Sequence, residues 1–137
     1  VAAGSITRRA GLAALLGLLI AAGVAALYTW LSLSFEYSNG ERAGTLQKFS
    51  RKGWICKSYE GELALYVVAG VQPEIWDFTV RDPAIAQKLS TAVGERVQLH
   101  YAEHRGIPTT CFGETGYFVD RINTIGPTPL TVTPAAR

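Results

Sequence analysis

The sequence predicts a mostly β fold: a small five-stranded barrel with one helix, preceded by one N-terminal transmembrane helix. Three observations predict it. An uncharged apolar run of membrane-spanning length lies near the start, five later segments are rich in β-branched and aromatic residues, and one capped helical stretch falls between the third and fourth of them.

From Ala10 to Leu33 no residue carries a charge over 24 positions. At about 1.5 Å per residue this gives roughly 36 Å of helix, against a hydrocarbon core of about 30 Å. Tyr28 and Trp30 stand near its C-terminal end, where aromatic rings favour the headgroup level. Arg8 and Arg9 precede the run and hold the N-terminus in the cytoplasm, which sends the rest of the chain outward. The basic residues between Lys48 and Lys52 argue the other way, but Glu36 and Glu41 balance them. A cleaved leader is the alternative, since Val24 and Ala26 could form a small-residue cleavage site. Ala13, Gly17, Ala21 and Ala25 recur every fourth residue, a small-residue face of the kind that lets membrane helices approach closely. Chance alone produces such spacings in Ala-rich helices.

Beyond the membrane run, Asn39-Gly40 reads as a turn. Residues 44–50 form a first strand, and Arg51-Lys52-Gly53 a polar turn. Residues 54–69 form a long second strand bent near Gly61, and residues 74–80 a third, with Trp76, Phe78 and Val80 on one face. Asp82-Pro83 starts a helix, with Asp at the N-cap and Pro at the first helical position. Ile85, Leu89 and Val93 give it an apolar stripe, and Gly94 ends it. Residues 96–104 and 116–125 are the fourth and fifth strands, joined by a loop carrying Pro108, Cys111 and Gly113. Three strands, a helix and two strands is the order of an OB-like barrel. The division is therefore a cytoplasmic N-terminus (1–9), a transmembrane helix (10–34), an exported β-barrel domain (35–125) and a Pro- and Thr-rich tail expected to be extended or disordered (126–137).

Three stretches resemble a known family: residues 37–44, YSNGERAG; residues 48–54, KFSRKGW, with 57–63, KSYEGEL, close behind; and residues 111–119, CFGETGYFV. They are similar to a family of short bacterial proteins, membrane-anchored and exported, of unknown function. Some members carry the label phosphogluconate dehydrogenase. The resemblance implies a bacterial inner-membrane protein with a periplasmic domain, and no established activity. The dehydrogenase label is rejected on physical grounds. A dinucleotide site needs a βαβ unit with a Gly-rich turn at a helix N-terminus, and no GxGxxG stretch is present.

Cys56 and Cys111, an even pair in a domain expected on the oxidising side, read as one disulfide. Closing that loop of about 55 residues is worth about 4 kcal/mol in the chain-entropy model. The bond would pin the turn after the first strand to the loop before the fifth, which are the ligand loops of an OB barrel. Lys48, Arg51, Lys52, Trp54, Arg105 and Glu114 are the expected binding edge, set against the plainer reading of a solvated basic turn. His100 and His104 stand about 13 Å apart on a strand, too far for one metal ion. Glu60 and Glu62 share a face, but no nucleophile with a base and an orienting partner accompanies them. No catalytic residue, metal or cofactor is expected.

Formal net charge is +2, and after Arg8 and Arg9 the chain carries 11 basic against 11 acidic residues. A neutral domain lacks the broad positive field of a non-specific nucleic-acid binder, so nucleic acid is excluded as a partner. The expected partners are the lipid bilayer and, through the transmembrane helix, a membrane protein or a second copy of the chain. The function expected is a non-catalytic accessory or interaction subunit of a membrane complex, its helix docked in the bilayer and its barrel on the periplasmic face. The alternative is an OB-type binding module for a small anionic or glycan ligand.

Overall fold

The computed structural model describes residues 2–66 and 69–127. The chain divides into two compact units, Val1–Phe35 and Glu36–Arg137.

The first unit is a single helix, α1 (Ala2–Ser34). By length and composition, Gly4–Ser34 is long and apolar enough to cross a membrane. The helix starts eight residues before Ala10 and takes in Arg8 and Arg9, because nothing from Ala2 to Arg9 breaks a helix. Ala13, Gly17, Ala21 and Ala25 are all exposed along it.

The second unit contains β1 (Ser38–Lys52), β2 (Ser58–Ala64), β3 (Ile75–Val80), α2 (Pro83–Thr91), β4 (Glu95–Glu103) and β5 (Tyr117–Pro127). The five strands close into a ring in the order β1-β2-β3-β5-β4. Ring closure rests on the length of β1. Its first half pairs antiparallel with β4, from Ser38 opposite Glu103 to Thr45 opposite Arg96. Its second half pairs with β2, from Thr45 opposite Ala64 to Lys52 opposite Ser58. Gly44 lies where β1 passes from one partner to the other, and a Cβ there would lie 2.3 Å from the Ala64 carbonyl oxygen. The last seam is a short parallel contact of β3 with β5, Thr79 opposite Phe118 and Val80 opposite Val119.

Two sequence expectations are corrected. Asn39-Gly40 is strand rather than turn, because β4 supplies partners at Ala102 and Tyr101, and Gly40 leaves room for the Tyr101 side chain, whose hydroxyl lies 3.1 Å and ring Cζ 3.3 Å from where its Cβ would be. The second strand begins at Ser58 rather than Trp54 and ends at Ala64. Gly53 and the Cys56 bond turn residues 53–57 into a loop, whereas Val67 and Val68 lie outside the described residues. Most of the expected tail, residues 128–137, also lies outside them, while Gly126 and Pro127 extend β5.

The core follows from strand alternation. Leu46, Leu63, Phe78, Val80, Val97, Leu99 and Val119 point into the ring, and Ala86, Leu89 and Ala92 of the α2 segment join them. Burying each Leu or Val contributes roughly 1.5–3 kcal/mol. Asp82 caps α2, its Oδ1 accepting from the Ala84 N–H at 2.8 Å. Val93, expected on the buried stripe, is 44% exposed, because α2 ends at Thr91 and the chain turns away through Gly94, at φ +89°.

Gly61 faces the ring of Phe78 so closely that a Cβ would lie 2.2 Å from Cζ. Gly61→Ala should therefore cost about 1–3 kcal/mol through overpacking, read as a lower urea midpoint for the domain.

Candidate functional site

Two loops meet at one end of the ring: residues 53–57 between β1 and β2, and residues 104–116 between β4 and β5. Gly53 makes the first possible. Its φ is +131°, and a Cβ would lie 1.7 Å from the Cys56 carbonyl oxygen, so only glycine fits. The Sγ atoms of Cys56 and Cys111 lie at bonding distance, 1.99 Å, with their Cα atoms 4.9 Å apart. The two loops are thus pinned together.

A buried carboxylate makes a second tie. Glu60, 5% exposed, accepts from the Ser58 hydroxyl at 2.6 Å, the Thr79 hydroxyl at 2.7 Å and the Glu114 N–H at 3.1 Å. Thr79 Oγ1 also accepts from the Thr115 N–H at 3.2 Å. These bonds join β2 and β3 to the second loop, which folds over their outer face. The cavity left there holds about 220 Å³ and is lined chiefly by Lys52, Glu60, Glu62, Asp77 and Glu114.

The six residues of the expected edge separate into three groups. Lys52 and Glu114 come together by the disulfide, Nζ to Oε2 at 3.4 Å. Arg51 lies next to Lys52, its guanidinium 5.5 Å from the centre of the Tyr59 ring, and Trp54 is fully exposed at the loop tip. Lys48 and Arg105 are elsewhere. Lys48 donates to Glu62 at 2.7 Å, and that hydrogen bond, together with the Glu62 charge, raises its pKa above the usual lysine value. Arg105 belongs to the far end of β1, where it bonds Glu103 at 3.1 Å and stacks 3.6 Å above the Tyr37 ring. The edge therefore keeps Arg51, Lys52, Trp54 and Glu114, and loses Lys48 to Glu62 on the adjacent strand β2 and Arg105 to Glu103, two residues before it in the chain.

The tip adds two residues that the sequence reading passed over. Ile55 is 98% exposed beside Trp54, and Lys57 is exposed just beyond Cys56. The visible signal was the run Arg51-Lys52-Gly53-Trp54-Ile55-Cys56-Lys57, three cations around two large apolar side chains with no carboxylate among them. His100 pairs with Asp120 at 2.6 Å, and His104 is buried with its ring 5.0 Å from that of Phe118.

Residues 36–128 match a family described as a domain of unknown function, DUF8785. The chain belongs to this family. Among curated proteins none matches the chain by sequence. Among solved structures, the crystal structure of Rim1, a mitochondrial single-stranded DNA-binding protein from S. cerevisiae, is similar to the DUF8785 domain. The TM-score is 0.51 at 12% identity, over 69% of this chain and 99% of that one. This likeness overturns the part of the partner expectation that excluded nucleic acid. The exclusion rested on net charge, and net charge says nothing of where cations and stacking faces sit on a fold.

Two outcomes follow from these contacts. Glu60→Ala should cost about 2–4 kcal/mol, since it leaves the Ser58 and Thr79 hydroxyls and the Glu114 N–H without their acceptor; limited proteolysis should then cut within residues 104–116 first. The Ser38 hydroxyl holds Glu103 below its ordinary carboxylate pKa, partial burial opposing and Arg105 assisting. A depressed carboxylate stabilises the fold above its unfolded pKa, and the contribution is lost as pH falls through the folded value. Glu103→Gln should thus flatten the loss of stability on acidification, measured as urea midpoints from about pH 6 to about pH 3.

Proposed function

We propose, ahead of the subunit role expected from the sequence, that the DUF8785 domain is a non-catalytic binding module of the OB type. In this reading α1 carries it at a bacterial inner membrane, and its pinned edge takes an anionic ligand on the periplasmic side. The observation that carries the proposal is the fully exposed Trp54 on a loop held by Cys56–Cys111, with Arg51, Lys52 and Lys57 within three residues of it along the chain. A flat ring face flanked by cations is the arrangement that stacks and neutralises an anionic ligand. The OB assignment draws on the strand and helix order, the closed ring and the likeness to Rim1, since OB barrels bind oligonucleotides and oligosaccharides through these same two loops. Export is supported by Arg8 and Arg9 ahead of the apolar run and by a disulfide suited to an oxidising compartment.

The Lys52–Glu114 pair does not close the edge. Its side chains are 40% and 47% exposed, and such pairs are worth about 0–1 kcal/mol, so an anion can displace Glu114. The test is a titration of the full chain in detergent micelles with a labelled single-stranded oligonucleotide and with an anionic oligosaccharide. At least one should bind with an affinity that falls as salt rises. Trp54→Ala should weaken it by the worth of one stacked ring, about 1–3 kcal/mol, while the circular dichroism stays unchanged. If neither probe binds at any salt concentration, the edge is no anion site.

A further inference from the structure

Resting on the reading of the pinned loops as an anion-binding edge, the structure assigns that edge to a particular source of anions: the surface of an anionic phospholipid bilayer. A soluble anion with a flat face accounts for Trp54 and the cations. It does not account for Ile55. Trp54 and Ile55 are adjacent, and both stand clear of the rest of the domain, at 101% and 98% exposure. An aliphatic side chain has no ring to stack, and it gains nothing from a phosphate in water. At the boundary between headgroups and acyl chains the pair has a joint use, because the indole favours the interfacial level and the isoleucine favours the acyl region just below.

The charges agree with this placement. Arg51, Lys52 and Lys57 bracket the two apolar residues, and no carboxylate interrupts residues 51–57. Cations set back from an apolar tip face the phosphates as the tip goes in, each contributing at an anionic surface and little at a zwitterionic one. Lys48 sits back along β1 and is engaged by Glu62. At the tip Lys57 is exposed, and Lys52 meets Glu114 only in a half-exposed pair that a phosphate can open.

Rigidity completes the argument. The Gly53 turn and the Cys56–Cys111 bond hold residues 53–57 in place before anything binds. A loop fixed beforehand loses little freedom on insertion.

The experiment places the full chain in nanodiscs with brominated acyl chains, alongside vesicles of the same lipid so that the tip can reach either surface. One preparation is phosphatidylcholine alone, and the other contains phosphatidylglycerol. Tryptophan fluorescence of the wild type minus that of Trp54→Phe isolates Trp54 from Trp30 and Trp76. Quenching of Trp54 should be several-fold greater with phosphatidylglycerol, should fall as salt is raised, and should be reduced by Ile55→Ser and by Lys57→Gln. A Trp54 that is unquenched in both lipids, yet shielded from acrylamide by an added single-stranded oligonucleotide, would overturn the lipid assignment and leave the anion edge standing. A Trp54 that answers to neither lipid nor oligonucleotide overturns both.

Discussion

Glu60 sits on β2 almost out of contact with water, and both its carboxylate oxygens are used. A charge so placed is tolerated only where donors surround it. Here the donors come from three parts of the chain: a hydroxyl on β2, a hydroxyl on β3 and a backbone N–H in the loop before β5. The loop cannot leave without stranding the carboxylate, and the carboxylate cannot stay without the loop. Gly113, at φ +155° with no space for a Cβ beside the Thr79 side chain, is what lets the backbone come so near. This arrangement sets the second loop over the outer face of β2 and β3. The cystine then has only to join two loops that are already neighbours.

The order of elements was legible in the sequence because each carries its own local signal. Asp82-Pro83 and Gly94 mark the ends of the α2 segment with side-chain chemistry that needs no tertiary partner. The start of β1 was not legible. Asn39-Gly40 has the composition of a turn, and only pairing with Ala102 and Tyr101, some sixty residues later, makes it strand. Long-range pairing overrides local propensity in this way wherever a strand's partner is remote. The second strand was drawn too long for a related reason: nothing in Trp54 or Ile55 says that these apolar residues face solvent.

The same division runs through the site. The cysteine pair was readable because two cysteines allow one intrachain bond. The cations were not, because Lys48 and Lys52 look alike until β2 and the loop before β5 bring Glu62 and Glu114 to them at 2.7 and 3.4 Å, while Arg105 takes Glu103, at 3.1 Å, from two residues back in its own segment. Summing charge over the whole chain beyond Arg9 gives zero and an excluded class of ligand. Placing the charge gives a face on which Glu60, Glu62, Asp77 and Glu114 gather about Lys52, and next to it a loop whose segment from Arg51 to Lys57 carries three cations and no carboxylate. At ordinary ionic strength an exposed charge is felt over about 8–10 Å, so a partner responds to such local groupings rather than to their total.

The division of charge also bears on how the domain tolerates its tip. Two adjacent large apolar side chains in water are a liability, since they invite association with whatever apolar surface passes. Three flanking cations oppose contact between two copies of the tip, because their approach would bring like charges together. They favour contact with any surface of opposite sign. The cystine prevents the other escape, in which a mobile loop would fold Trp54 and Ile55 back against the domain's own surface. In the reading proposed above, exposure, charge and cross-link work as one device: the cross-link keeps the apolar pair presented, and the cations decide what the pair is presented to.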